Sequence, residues 1–468
     1  MGRVNKKVAY GLLAGLLAAA GAGALDRAGL AARWDNPMSD WRARLLAKPS
    51  PATPRIKLVL LDQYSLDWGS ETMGLSWPWP REVYGAVLDY LKRNGAKAVV
   101  FDVLYTEASA SGVADDELLG AAAGRFGNFV GAVFLGKTTD QATRWPAYAK
   151  PNPLRVEGLD AWLSAHPAAA KEIVADAAAF PVPEVTSNAA WLANVREVPD
   201  GDGIFRRAAP FRVFDGRILP SLGFAGWLAG LGAGDVKADI RPRALVAGDR
   251  RIPLDDAGRM ILKFRGKSGT HQTFNAAEVI QSEVRLQEGG RPPIQDGSVF
   301  KDAYVVFGFS APGLKDLRPS PMGGDYPGPE IYATMLDNLL AGDFLRDAPA
   351  ALVWLWVLLL ALAAGAIAAA ARNGWQSGVA ALILIPLPTL AGLAAWQAGF
   401  VLPVAGASAG VVIALLGGAV VNFVLEGRQK MFIKGAFKHY LSAEVIEQIM
   451  RDPGSLKLGG ERRELTIF

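Results

Sequence analysis

Between Arg372 and Glu426 the chain runs for 53 residues without a charged side chain. Lipid explains such a run better than a soluble core does, because a helix in hydrocarbon satisfies its own backbone polar groups. At about 20 residues per crossing the run holds two spans. With a turn at 397–400 they fall at residues 377–397 and 401–425. A further uncharged stretch separates Asp347 from Arg372 and predicts a span over 350–371. Near the start, residues 8–25 are uncharged and follow Arg3, Lys6 and Lys7, which predicts a first span with residues 1–7 on the cytoplasmic side. Ala22, Gly23 and Ala24 also resemble a signal-peptide cleavage site, but the apolar run exceeds the about 7 to 15 residues of a signal peptide, so a retained span is expected. Arg372, Arg428, Lys430, Lys434 and Lys438 then lie inside, both termini are cytoplasmic, and the region 30–347 faces outward.

Composition narrows the chemistry. Lys plus Arg number 49 against 45 Asp plus Glu, with no basic run able to track phosphates, so nucleic acid is not an expected partner. With no cysteine and only His166, His271 and His439, neither a thiol nucleophile nor a histidine-built metal site is expected.

The outward region reads as α/β. An apolar run at 56–61 ends on Asp62, Val83, Val87, Leu88 and Leu91 recur at helical spacing, and a second run at 98–101 closes on Asp102. A helix over 114–123 and a strand over 128–135 follow, which predicts a parallel sheet with both faces covered. The far half repeats the pattern, with strands at 260–264 and 304–309 and helices at 276–284 and 329–340, as one large or two smaller units. Ligands of such sheets sit beyond the carboxyl ends of the strands, which makes Asp62 and Asp102, with Trp77, Trp79 and Arg81 between them, the candidate ligand-binding residues. The competing reading has the acids capping turns and helices and the tryptophans closing the core. Asp115 and Asp116 fit the first turn of a helix without any ligand.

Other motifs fail on inspection. Asp200, Gly201, Asp202 and Gly203 lack the glutamate that completes a calcium loop and read as a tight turn. Gly266, Lys267 and Ser268 lack the first glycine of a phosphate loop. Ser310 is followed by Pro312 where a nucleophile elbow needs glycine, and Ser408 lies inside a span.

Several of these stretches together resemble the CHASE2 domain, an extracytoplasmic sensory module of bacterial signalling proteins. They are the 58–62 run, Trp77 through Arg81, residues 95–104, the 200–203 turn leading into Arg206 and Arg207, and Gly328 through Ile331 before Asn338. The resemblance implies one span, the sensor, then three spans, in the bacterial inner membrane with the sensor periplasmic or extracellular. Where the family shows a second acid after the first strand this chain has Gln63. The expected fold is thus an α/β extracytoplasmic sensor domain plus four α-helical transmembrane spans, one before and three after, and a cytoplasmic linker helix.

Beyond the last span, Phe432, Ile433, Ala436, Phe437, Tyr440 and Leu441 form an apolar stripe on a linker over 426–458 suited to carrying a signal. Residues 440–447 and 456–466 are similar to the lead-in of a class III adenylate cyclase domain. The resemblance implies that such a domain, with Mg or Mn held by two aspartates, would make cAMP from ATP between paired chains. Those aspartates are not among residues 459–468, so these 468 residues are expected to be inactive on ATP and to hold no cofactor. The expected partners are a second copy, membrane lipid and an extracytoplasmic ligand. The alternatives are a CHASE2 sensor with another output, such as a kinase, and a catalytically dead receptor fragment.

Overall fold

The computed structural model describes residues 2–136, 141–232, 236–314 and 316–437, with side chains placed between 6 and 425. The chain divides into two compact units: Ser39–Asp347 with Ala395–Val401, and Met1–Met38 with Ala348–Ala394 and Leu402–Phe468.

The first unit is built on six strands, β1 (Ile56–Leu61), β2 (Ala98–Phe101), β3 (Phe129–Leu135), β4 (Trp191–Asn194), β5 (Gln272–Asn275) and β6 (Tyr304–Phe309). Their spatial order is β5-β1-β6-β2-β3-β4, every neighbouring pair parallel, and a seventh strand, Ala178–Ala179, pairs antiparallel with β3. Parallel neighbours need crossovers, and helices supply them: α1 (Gln63–Met73), α2 (Arg81–Arg93), α3 (Val113–Phe126), α4 (Leu222–Ala229), α5 (Ala276–Gln287) and α6 (Gly328–Ala341).

Strand alternation sorts the core into two layers. Val59, Leu61, Val99, Phe101, Val305 and Phe307 face a core shared with Tyr84, Val87, Leu88 and Leu91 of α2 and with Val279 and Ile280 of α5. Ile56, Leu58, Leu60, Val100, Val130 and Val306 face the opposite core, filled by Phe224 and Leu228 of α4 and Met335 and Leu336 of α6. Both sheet faces are therefore covered, which is why β1 reads as an apolar run broken only by Lys57, whose ammonium donates to Gln272 of the edge strand β5. Each fully buried leucine there, such as Leu58, contributes about 2 kcal/mol by leaving water.

Two features depart from the sequence expectation. The strand expected at 260–264 shrinks to Met260–Ile261, which pairs antiparallel with Arg207–Ala208 away from the main sheet. The strand that precedes α5 is instead β5, an edge strand paired only with β1, and its polar Gln272, Thr273 and Asn275 give no apolar signal. The two halves also do not form separate units: β6 inserts between β1 and β2, so early and late strands share one sheet. A smaller sheet of Leu154–Glu157, Val236–Arg241, Ala244–Ala247 and Arg250–Pro253 completes the unit.

Among the described residues, four helical segments, all but the end of the third in the second unit, are long and apolar enough to cross a membrane: Lys6–Arg27, Ala350–Ala370, Gly374–Gln397 and Ala405–Leu425. The third is interrupted at Ile385 and Pro386, where a proline cannot donate to the preceding turn. Gly11 and Gly15 lie against the 350–370 helix so closely that a Cβ on Gly15 would stand 2.4 Å from the Ala361 carbonyl oxygen. The four-residue spacing of Gly11 and Gly15 thus makes a close contact, whereas at the same spacing Gly406 has nothing within 4 Å and Gly410 makes only ordinary contacts at 3.7 Å and beyond. Asn422 accepts from Lys7 Nζ at 2.7 Å and donates to the Ala371 carbonyl at 2.7 Å, tying three helices at one level.

Candidate functional site at the carboxyl edge of the sheet

The carboxyl ends of β2, β6 and β4 bring acidic residues to one edge. Asp102 follows β2, and its amide donates to the Phe307 carbonyl on β6 at 2.8 Å. Next along β6, Gly308 has no side chain for a physical reason: a Cβ there would lie 2.4 Å from Pro329 and 3.3 Å from the Asp102 Cβ. The missing side chain lets the first turn of α6 close over the strand end. Tyr332 of α6 is buried and donates its hydroxyl to the Val195 carbonyl at 2.8 Å, just past β4. Two residues further stands Glu197.

Glu197 is 9% exposed, no side chain donates a hydrogen bond to either carboxylate oxygen, and the Ala209 amide is the donor beside it. Burial pushes its carboxyl up to about 8; Arg212 opposes the shift and Glu172 adds to it. Arg212, itself buried, turns to Glu172 at 2.8 Å and to the Arg196 carbonyl at 3.2 Å. Burial also raises Asp102 well above the carboxylate range, reinforced by Asp316 and Glu197 and opposed by Arg318. Asp316 is raised by burial in spite of its ion pair with Arg318 at 3.2 Å. The edge thus carries more acid than its arginines balance.

The residues expected to bind ligand do not converge. Asp62 caps α1, accepting from the Ser65 amide at 2.9 Å. Trp79 is buried in the core beside Tyr84 and Trp68. Trp77 is 44% exposed and stands edge-on to Phe309 at the end of β6. Arg81 is buried, paired with Asp116 and placed over the Tyr105 ring at 5.1 Å. Asp115 accepts from the amides of Arg81 and Glu82, both at 2.8 Å, so α3 supplies the cap that Pro80 cannot give α2. Only Asp102 belongs to the acidic edge. Glu197, Asp316, Arg318 and Tyr332 were missed, because β4 was unrecognised and Asp316 and Arg318 lie in a loop and a short hairpin strand, Leu317–Ser320.

Two further polar clusters hold the unit together. Asp337 of α6 accepts from Arg265 Nε at 2.6 Å, Thr53 at 2.6 Å and Ser50 at 2.7 Å, with His271 Nε2 at 3.3 Å. Burial alone would raise its carboxyl, but His271, Thr53 and Arg265 hold it down at about 2. The 200–203 segment is a turn closed by the Gly203 amide on the Asp200 carbonyl at 2.8 Å. Its Asp202 joins Asp40 around Arg206.

Of the linker stripe, Phe432, Ile433, Ala436 and Phe437 lie on the backbone of the helix Ala405–Phe437. Tyr440 and Leu441, the cyclase-like stretches at 440–447 and 456–466, and the rest of the 426–458 linker past 437 lie outside the described residues. Among the described residues no three acidic or histidine side chains converge closely enough to hold a metal ion.

Comparison with protein families matches the CHASE2 domain over residues 12–370, which takes in the α/β unit and most of the first two apolar helices. Comparison with curated proteins gives no match, and comparison with solved structures gives none. A match across most of the chain, on a mixed α/β domain accompanied by four apolar helices, assigns the chain to the CHASE2 family of extracellular sensor domains.

Proposed function

We propose that the chain is the sensing and transmitting part of a membrane receptor whose outward α/β unit regulates cAMP synthesis from ATP by a class III adenylate cyclase domain following these residues. The observation that carries the reading is the helix Ala405–Phe437, which runs 33 residues without a break. At 1.5 Å per residue it is about 50 Å long, well beyond the roughly 30 Å hydrocarbon layer. A rigid rod of that kind delivers a displacement from the outer face to the linker. Its outer end is capped by Asp35, which accepts from the Val404 amide at 2.7 Å and the Ala405 amide at 2.9 Å. Asp35 lies on the helix Ala32–Leu46, which also carries Asp40, the partner of Arg206.

In this reading both termini are cytoplasmic in the bacterial inner membrane, and two copies pair so that their linkers rotate or shift together. The cyclase-like stretches at 440–447 and 456–466 favour this output over a kinase. Mg or Mn and ATP would be held by the catalytic domain. Trp77 and Asp102 remain the residues proposed to meet a ligand, Trp77 because its ring is exposed at a strand end and Asp102 because its acid is uncompensated.

The test is to express the whole reading frame containing these residues in bacteria lacking their own cyclase and to measure cAMP, with phosphatase fusions after residues 29 and 347 reporting the sidedness. Production of cAMP together with periplasmic phosphatase activity at the first site supports the proposal. A correctly inserted protein that makes no cAMP overturns the cyclase output.

A further inference from the structure

We propose that Glu197, at the acidic edge of the sheet, is a proton-binding site through which the α/β unit responds to pH outside the membrane. The inference rests on the outward placement proposed above. Its geometric basis is a pair of carboxylate oxygens with essentially no accessible surface and no side-chain donor, the Ala209 amide being the one group beside them that favours the charged form by hydrogen bonding. No larger ligand has access to them, and among the described residues no metal-holding group forms there. A proton is the ligand that such a carboxylate takes from water.

The groups around Glu197 define what its ionisation would do. Asp102 faces it from the end of β2, Arg318 from the segment after β6, Tyr332 from α6, Arg212 from the strand Phe211–Phe214, Glu172 from the helix Pro167–Ile173, and the Ala209 amide from the segment just before Phe211. Arg318 is paired with Asp316, and Arg212 with Glu172. With its proton in place, Glu197 is neutral and Arg212 stays on Glu172. When hydroxide removes that proton to form water, a buried anion is left with only the Ala209 amide to stabilise it by hydrogen bonding, and the nearest remedy is for Arg212 to leave Glu172. The arginine thus has two carboxylates to choose between, and the pH decides which holds it. The change reaches α6 through the Tyr332 hydroxyl on Val195, two residues from Glu197.

Burial pushes the Glu197 carboxyl up to about 8, so the transition falls between neutral and mildly alkaline pH. An acid raised by folding stabilises the native state fully below its unfolded value and loses that contribution as pH rises through the folded value.

The experiment is an infrared titration of the full chain in lipid nanodiscs, with thermal unfolding followed alongside. In the native protein a carboxylic-acid carbonyl band should disappear with a midpoint near pH 8, and the unfolding temperature should fall as pH rises from about 4 toward 8 and level off above it. Glu197→Gln, which copies the protonated shape, should lack that band and lose that part of the pH dependence. Glu172→Gln removes a like charge and frees Arg212, and should move the midpoint down by about one pH unit. It sits on a side chain 23% exposed and leaves the core intact. Retention of the native band and pH profile by Glu197→Gln, or an unmoved midpoint in Glu172→Gln, overturns the proposal. The titration reads Glu197 itself, so it stands or falls separately from cAMP production: a titrating chain without cAMP refutes only the cyclase output, and a cAMP-producing chain without the titration refutes only the proton site.

Discussion

Arg206 and Arg207 are consecutive residues that hold the two ends of the α/β unit: Arg206 grips Asp40 through Nε and Nη2 at 2.6 and 2.8 Å, and Arg207 grips Asp347 through two nitrogens at 2.8 Å each. Asp40 lies just after the first apolar helix and Asp347 just before the second. Two adjacent residues therefore hold both ends of the α/β unit. The two-pronged geometry explains why arginine serves here, since a lysine ammonium cannot bond both oxygens of two carboxylates.

Replacing Arg206 by Ala should cost about 3 kcal/mol, because its side chain is 10% exposed and its loss leaves Asp40 and Asp202 facing each other without a shared cation. Arg207→Ala should cost less, about 1 kcal/mol, because Asp347 is 40% exposed and water can replace the arginine. Denaturant unfolding of the two variants checks the order. Arg206→Lys should recover only part of the loss.

Asp337 makes stability depend on acid. Its folded carboxyl lies at about 2, below the ordinary value near 4, so its contribution is complete above about pH 4 and vanishes as pH falls through 2. The contribution should be about 2 to 3 kcal/mol. Asp337→Asn should lose it at pH 7 and flatten the acid limb of the stability profile, which thermal unfolding between pH 2 and 6 would show.

The helix pair through Gly11 and Gly15 should tolerate no side chain. Gly15→Leu would drive a side chain into the Ala361 backbone, and detergent-solubilised protein should unfold at a clearly lower temperature. Gly406→Ala, with open space around it, should behave as the native protein does.

Asp115→Ala should remove the cap of α2 and loosen Arg81, at about 1 to 3 kcal/mol. Glu82→Ala keeps the capped amide and should cost little. Hydrogen exchange at the first turn of α2 separates the two.

Much of this organisation was present in the chain's own residues. Charge-free runs at 8–25 and from 348 onward marked the apolar helices, because lipid requires length and the absence of charge and both are visible in one dimension. β1, β2, β3 and β6 announced themselves because strands covered on both faces must be apolar throughout. Edge strand β5 did not, since one open side lets Gln272 and Asn275 stand where an apolar residue would otherwise mark the strand. Nor did the order of the strands: that β6 lies between β1 and β2 depends on pairing across some 240 residues, which no local pattern encodes. The acidic edge was decided the same way. Asp102 could be nominated from its place after a strand, but its company of Glu197, Asp316, Arg318 and Tyr332 exists only because three strand ends and a helix meet in space. Burial, and with it the raised carboxyl of Glu197, belongs to that meeting: a glutamate in the sequence is an ordinary acid until the fold removes water from it.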